Sequence, residues 1–185
     1  MDFENAPSKE KQPSAFENYP LSTNLITSIV TLLICAVGVY LLWQLGMIWG
    51  ILFILYIIGL ELFTFKHGCS CCYYYGKRCA FYRSKVAPLF FKKDDPQKFC
   101  QRKVTFWNLL PTVLASLIPV IVGVFLLIKS FSLLILILTL IPVINWFIVN
   151  PLIFGKLVCL HCKQGRICCP ANDFFGKKSK LDKEQ

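Results

Sequence analysis

The chain has 185 residues, of which 56% are hydrophobic, and it carries a formal net charge of +10 at pH 7. Soluble domains are typically about 45–50% apolar, and the excess here lies in four runs that carry almost no charge. Because these runs take up most of the chain, a separate soluble domain of ordinary size is excluded. We predict one all-α membrane domain with cysteine-rich attachments.

The first segment, residues 1–20, is polar and mixed in charge. It lacks the basic start and short apolar core that a secretory signal requires. We therefore predict a disordered tail over residues 1–20.

Four apolar runs follow, at about residues 21–43, 48–65, 106–128 and 131–154. A spanning helix requires roughly 18 or more apolar residues, and the second run is at the short end of that range. The runs predict four transmembrane helices that form two tandem hairpins, each followed by a cysteine-rich segment. The resulting divisions are a first hairpin, a middle loop, a second hairpin and a tail, at 21–65, 66–105, 106–154 and 155–185.

Basic residues are concentrated on one side of the predicted membrane domain. The middle loop carries ten Lys or Arg and the tail carries seven, whereas the link 44–47 has none and the link 128–131 has only Lys129. Since Lys and Arg near helix ends stay on the cytoplasmic side, we predict a multi-pass protein of the cell membrane with both termini in the cytoplasm. We expect these charges to attract anionic lipid headgroups. No nucleic-acid module accompanies them, so nucleic acid is not a predicted partner.

Nine of the ten cysteines lie in the predicted cytoplasmic segments. Two triplets share the spacing C-x2-C-x6-C, and these are Cys69, Cys72 and Cys79, then Cys159, Cys162 and Cys169. A shift of ninety positions superposes the triplets, and it also matches apolar residues four positions apart in the preceding helices. We infer a parallel internal repeat in which each hairpin ends in a cysteine knuckle. Such repeats often place a site between the two halves.

Clustered cytoplasmic cysteines are kept reduced, and they usually bind metal or carry out thiol chemistry. A C-x2-C pair can turn two thiolates towards one ion, and tetrahedral sites need four ligands. We predict the six triplet cysteines as metal ligands. The fourth ligand is left open among five further residues, which are Cys71, Cys100, Cys168, His67 and His161.

The pattern leaves the identity of the metal open between zinc and an iron–sulfur cluster. Zinc would form a closed structural site. An iron–sulfur cluster also takes thiolates, and Cys169 is followed by Pro170 in the manner of bacterial ferredoxin motifs. Metal-free dithiol chemistry is a further alternative, and the spacing fits one shared centre as well as two.

The segments CCYYYGKRCAF, from Cys71, and CLHCKQGRICCP, from Cys159, resemble those of cysteine-rich four-span membrane proteins of archaea and bacteria. The resemblance implies a four-span membrane fold and no particular activity or substrate. The helix count is also similar to that of quinone-linked disulfide-forming membrane enzymes. The chain departs from those enzymes because its cysteines are predicted to face the reducing side.

These features predict a membrane protein that docks a cytoplasmic or membrane protein partner, or passes electrons to it, through one or two metal–thiolate centres. No catalytic residue is assigned. One alternative is a membrane thiol–disulfide oxidoreductase. Another is metal transport past Glu61, an ionisable residue in the second span. Glu61 lies about one turn from the predicted cytoplasmic end, where an ion pair near Lys66 would also explain it.

Overall fold

The structure is a computed structural model, and it describes residues 14–101 and 105–169. Helix accounts for 77% of these residues, and no strand occurs among them. Four helical segments are long and apolar enough to cross a membrane, and these are Leu21–Leu45, Met47–Cys69, Phe106–Lys129 and Leu133–His161. The prediction of an all-helical protein with four helices able to span a membrane is confirmed.

The first two helices, α1 (Leu21–Leu45) and α2 (Met47–Thr64), are joined by a single residue, Gly46. Gly46 has a φ of 148°, which residues with a side chain rarely adopt. The helices remain close at Gly50, where a Cβ atom would come within 2.7 Å of the Trp43 ring. This reversal and close approach allow α1 and α2 to pack against each other.

The helical path of α2 extends beyond the end of its apolar run. It continues through the π-helical turn Phe65–Cys69, and the N–H of Ser70 donates to the carbonyl of Phe65 at 3.0 Å. The apolar pattern predicts an end at residue 65 because residues 66–68 are polar or glycine. Since these residues are helical, Cys69 occupies the last position of a helix rather than a loop.

The middle loop contains two short helices, α3 (Arg83–Phe90) and α4 (Gln97–Cys100). At the end of α3, the side chain of Leu89 is 80% exposed and that of Phe90 is 60% exposed. Such apolar exposure is expected where a short helix meets a membrane border. Helix α4 buries none of its four residues.

The third long helix, α5 (Phe106–Lys129), is followed by α6 (Leu133–Ile144). Pro142 lies near the end of α6 and lacks the N–H that a regular α-helix uses, and the helix then widens into π-helical turns. The remaining elements are Asn145–Val149, α7 (Asn150–Leu152), Ile153–Val158, Cys159–His161 and α8 (Lys163–Ile167). The fourth span therefore reaches His161, beyond the predicted end at residue 154.

The four long helices pack as a group. Helix α1 contacts α2, α5 and α6, and α5 also contacts α2 and α6. The buried centre of the contact between α1 and α5 is formed by Val37, Leu41 and Leu126. A Cβ atom on Gly123 would lie 2.1 Å from Oγ1 of Thr139, so α5 and α6 approach closely there. Many large apolar side chains on these helices are exposed, as is expected where helices face lipid.

A second buried cluster lies at the end of the bundle that carries the cysteines. Its centre includes Tyr19 and Tyr74, each only 1% exposed. Residues 14–20, which we name the N-terminal strap, pack here, although the sequence predicts a disordered tail over 1–20. The remainder of that predicted tail, residues 1–13, lies outside the described part of the chain. The strap packs because Tyr19 buries a large aromatic ring against both cysteine-bearing segments.

Candidate metal centre

Two turns bring the first cysteine triplet together. The N–H of Cys72 donates to the carbonyl of Cys69 at 3.3 Å. Gly76 then adopts a φ of 75°, and its N–H donates to the carbonyl of Ser84 at 2.9 Å. The chain reverses there, and Cys79 returns close enough to influence the charge state of Cys72.

Polar side chains at the start of α1 fix the backbone around Cys79. The Nδ2 atom of Asn24 donates to the carbonyl of Cys79 at 2.8 Å, and Oγ1 of Thr27 donates to the carbonyl of Ala80 at 2.5 Å. Both side chains are buried. Because a buried polar group without a partner is costly, these two bonds hold the middle loop against the first span.

The second triplet surrounds the short helix α8. Cys162 precedes α8, and its Sγ atom accepts a hydrogen bond from the N–H of Gly165 at 3.3 Å. Gly165 lies within α8 itself. Cys169 follows α8 and is half-buried, whereas Cys159 lies in the preceding turn and is exposed. The two outer cysteines of this triplet therefore differ in burial.

Hydrogen bonds join the middle loop to the tail. The N–H of Tyr73 donates to Oε1 of Gln164 at 2.8 Å, and the N–H of Lys163 donates to the hydroxyl oxygen of Tyr74 at 3.0 Å. Gln164 is buried, with 5% of its surface exposed. These contacts connect segments about ninety residues apart in sequence, and they set the two cysteine-bearing segments side by side.

Thiols from both segments pack against one buried cluster. Cys72 and Cys79 from the middle loop and Cys162 from the tail all contact the cluster around Tyr19 and Tyr74. A pair of thiols from one triplet and one thiol from the other are therefore neighbours. Thiolates grouped in this way are the ligands that zinc and iron–sulfur clusters take.

Burial favours the protonated form of two of these thiols, Cys72 and Cys162. Burial, together with the nearby Cys79 and Cys162 sulfurs, raises the pKa of Cys72 to about 12, and the N–H of Tyr74 acts in the opposite direction. Burial also raises the pKa of Cys162, where the N–H of Gly165 acts in the opposite direction. A metal ion would have to displace these protons. As neutral thiols, both sulfurs are poor nucleophiles.

The remaining cysteines predicted as ligands occupy three kinds of environment. Cys69 is buried and close to Cys72 and Cys79. Cys71 is also buried, but its Sγ atom lies 3.5 Å from Oγ of Ser70, and Cys71 does not belong to the cluster around Tyr19 and Tyr74. Cys100 and Cys168 are joined in a disulfide, with their Cα atoms 5.2 Å apart. In this state neither of those two sulfurs is a thiolate.

The two predicted histidines also differ. His67 is exposed, and its ring centroid lies 4.5 Å from that of Phe63. His161 stacks on Phe16 with 4.6 Å between ring centroids, and its Nδ1 atom is buried without a hydrogen-bond partner. The unpartnered Nδ1 atom of His161 could serve as a ligand.

The thiols are grouped but not yet arranged around one point. Within residues 14–101 and 105–169, no three His, Cys, Asp or Glu side chains stand in position to share a metal ion. Binding at this site would therefore require side-chain adjustment as well as loss of protons.

The N-terminal strap is the part of the site that the sequence does not predict. The hydroxyl of Tyr19 donates to the carbonyl of Val158 at 2.8 Å, and the N–H of Phe16 donates to the carbonyl of His161 at 3.0 Å. Tyr74 also donates its hydroxyl proton to the carbonyl of Phe16 at 2.7 Å. The strap thus covers the cluster from one side. The aromatic residues at 16 and 19, directly before the first span, are the only sequence signal for it.

An ion pair also attaches the N-terminal strap to the tail. The carboxylate of Glu17 accepts hydrogen bonds from the Lys163 ammonium and from the hydroxyl of Tyr73, the latter at 2.7 Å. The Lys163 ammonium lowers the pKa of Glu17, and Glu17 in turn raises the pKa of Lys163. Since this cluster is exposed, salt screens it strongly.

Glu61 forms its ion pair with Arg83 rather than with the neighbouring Lys66. The closest N–O distance is 2.5 Å, and both side chains are 32% exposed. The pair lines an open crevice of about 190 Å³ at the border of α1 and α2. The ion pair accounts for a charged residue within an apolar helix, because pairing reduces the cost of placing it there.

No protein-family model, characterised protein or solved structure matches the chain.

Proposed function

We propose that this chain is a membrane protein that holds a metal–thiolate centre, zinc or iron–sulfur, at the cytoplasmic face and uses it to dock a protein partner or to pass electrons to one. One observation carries the proposal. Cys72 and Cys79 of the middle loop and Cys162 of the tail pack against a single buried cluster. This convergence supports the proposal, because a shared metal centre requires thiols from both cysteine-rich segments at one place.

The proposed topology has two tandem hairpins, each followed by a cysteine knuckle. The basic residues of the middle loop and tail support a cytoplasmic location for both knuckles. The same residues would hold this face against anionic headgroups. In this arrangement the metal centre lies at the membrane surface, within reach of a cytoplasmic protein or of a partner in the membrane.

The proposed ligand set is centred on Cys72, Cys79 and Cys162. The fourth ligand would come from Cys69 or Cys169, which are close to these sulfurs, or from the unpartnered Nδ1 atom of His161. Four ligands complete the tetrahedral shell that structural zinc prefers. With an iron–sulfur cluster in the same position, the four thiolates would hold an electron carrier.

A metal analysis combined with a visible spectrum tests the proposal. The full chain should be purified anaerobically in detergent and its metal content measured per chain. Brown protein with absorbance near roughly 400 nm would indicate an iron–sulfur cluster, and colourless protein with stoichiometric zinc would indicate a structural site. Protein that holds neither metal after exposure to both zinc and iron–sulfur reconstitution would contradict the proposal.

A second function is favoured by the Cys100–Cys168 disulfide. Cys100 is exposed, so an external thiol can reach this bond. A membrane thiol–disulfide oxidoreductase would use such a bond to oxidise a substrate dithiol. The buried, protonated thiols of Cys72 and Cys162 would contribute little to that chemistry. Turnover of a model dithiol substrate that is lost in Cys100→Ser, in protein without metal, would favour this second function.

A further inference from the structure

The disulfide joins two surface elements that are far apart in the chain. Cys100 is the last residue of α4, and Cys168 directly follows α8, 68 positions later. Helix α4 buries none of its residues, and a nearby ion pair between Asp94 and Lys98 is exposed. Exposed ion pairs contribute little. The disulfide connects α4 covalently to the tail.

Cys168 is connected through α8 to the tail side of the thiol cluster. The Nε2 atom of Gln164 donates to the carbonyl of Cys168 at 3.1 Å and lies 3.4 Å from its Sγ atom. The Oε1 atom of the same side chain accepts from the N–H of Tyr73. Cys169 is the next residue and lies close to Cys162. The disulfide thus fixes the exit of α8, where the candidate ligand Cys169 begins.

We propose that the Cys100–Cys168 pair is a site of reversible thiol–disulfide exchange with a small cytoplasmic dithiol, and that the closed bond slows release of metal from the thiolate centre. This proposal rests on the proposed function. Structural disulfides are uncommon in reducing cytoplasm, and exposed ones there are usually labile and regulatory. Cys100 is the exposed partner, so it is the sulfur that a small thiol attacks first.

The exchange balances without any further reactant. A thiolate of the small dithiol attacks Sγ of Cys100, and the bond to Cys168 breaks. Cys168 leaves as a thiolate and takes up a proton. The second thiolate of the reductant then attacks the reductant's own sulfur in the mixed disulfide, which releases Cys100 as a thiolate and leaves the reductant as a disulfide. Two electrons pass from the dithiol to the protein, and a small disulfide reverses the reaction.

The closed bond should favour retention of the metal because it removes conformational freedom from the tail. When the bond is open, the hydrogen bonds to Gln164 are the connections that the described residues still provide at the exit of α8, and Cys169 gains freedom to move away from Cys162. A ligand group that is held in its bound geometry loses less entropy on binding. We expect opening of the disulfide to increase the rate of metal release at least about fivefold. A change of this size requires less free energy than a disulfide typically contributes.

Peptide mapping tests the exchange itself. Cells are treated with a reductant or with diamide, thiols are trapped with N-ethylmaleimide, and the full chain is purified and digested with trypsin. Cleavage gives peptides 99–102 and 167–177, which are linked when the bond is closed; because the second peptide holds both Cys168 and Cys169, fragmentation of the linked species identifies the bonded cysteine. We expect a linked species after oxidation and separate alkylated peptides after reduction. Peptides that never link, or that stay linked in native protein at every reductant concentration, would overturn the proposal.

Zinc release tests the effect on the metal centre. Zinc-loaded oxidised protein in nanodiscs is mixed with a chromogenic chelator and compared with Cys100→Ser and Cys168→Ser, in which no bond can form. Cys35→Ser, changed within α1, is the matched control and should release zinc at the rate of the unchanged chain. Equal release in all four proteins would overturn the proposal while leaving the metal centre intact. If no zinc binds in any of them, the proposed metal centre fails and the inference about release fails with it.

Discussion

The hydroxyl group of Tyr19 donates a hydrogen bond to the carbonyl of Val158 at 2.8 Å, across 139 positions of the chain. Tyr19 precedes the first span, and Val158 lies in the last part of the fourth. The bond is buried, and Tyr19 is only 1% exposed. The bond connects the segment before the first long helix to the end of the fourth, beside the clustered cysteines.

Replacement of this tyrosine should destabilise the cysteine-bearing end. In Tyr19→Phe, the ring remains but the carbonyl of Val158 loses its buried donor, which should lower the free energy of unfolding by about 1–3 kcal/mol. The measurement is denaturant unfolding of the full chain in detergent. Tyr40→Phe is the matched control, because Tyr40 is 43% exposed, and it should change stability by less than about 0.5 kcal/mol. Equal effects of the two changes would contradict the importance of this bond.

The ion pair between Glu61 and Arg83 should behave as a unit. Glu61→Gln leaves the half-buried guanidinium of Arg83 without its partner, and we expect a loss of about 1–2 kcal/mol, between the values for exposed and buried pairs. The double variant with Arg83→Gln should recover part of that loss. Thermal unfolding in nanodiscs provides the comparison.

Lys66→Gln serves as the control for the ion pair, because Lys66 is the partner that the sequence suggests and Arg83 is the one in the structure. A double-mutant cycle with significant coupling between Glu61 and Lys66, and none between Glu61 and Arg83, would show that this assignment is wrong.

Close packing of α5 on α6 makes a steric prediction. In Gly123→Ala, the new methyl group would lie 2.1 Å from Oγ1 of Thr139, so the helices must separate or the threonine must rotate. We expect a loss of about 1–3 kcal/mol, as in other overpacked contacts. Combining it with Thr139→Ala should restore part of the stability. Gly59→Ala is the control, since a Cβ there meets nothing within 4 Å. If Thr139→Ala lowered the stability of Gly123→Ala further instead of restoring part of it, the result would argue against this contact.

The buried thiol of Cys72 predicts a loss of stability in alkaline solution. Its folded pKa is raised from an ordinary value of 9.0 to about 12, so the folded state binds the proton more tightly than the unfolded state. The resulting stabilisation is fully present below pH 9.0 and is lost as the pH rises towards 12. Unfolding of metal-free protein between these pH values measures it. In Cys72→Ser the decline should be shallower, and an identical decline would contradict the assigned burial.

The sequence predicts the helical part of this fold well because the four apolar runs are long and almost uncharged. It places the ends of the second and fourth helices too early, since π-helical turns carry polar residues such as Lys66 and His67 past the apolar pattern. Hydropathy measures the membrane environment of a helix, and a helix that extends beyond that environment gives no such signal.

The site is predictable only in part for a related reason. The spacing of the triplets predicts Cys72 and Cys162 as ligands, and the structure places both against one buried cluster. The roles of the other cysteines depend on long-range pairing, and nothing in the spacing distinguishes Cys100 and Cys168 as disulfide partners. The contribution of Tyr19 is also not predictable from the sequence. A polar segment before a span has the composition of a disordered tail, and composition does not show that its aromatic rings pack against the cysteine-bearing segments.

Metal content in three single variants tests the central claim most directly. The full chain, Cys72→Ser, Cys162→Ser and Cys35→Ser are purified in parallel, and the bound zinc and iron are measured per chain. A centre shared between the two segments predicts that Cys72→Ser and Cys162→Ser each lose nearly all of the metal while Cys35→Ser retains it. Full metal content in both knuckle variants, or the loss of half in each, would contradict a single centre built from both segments.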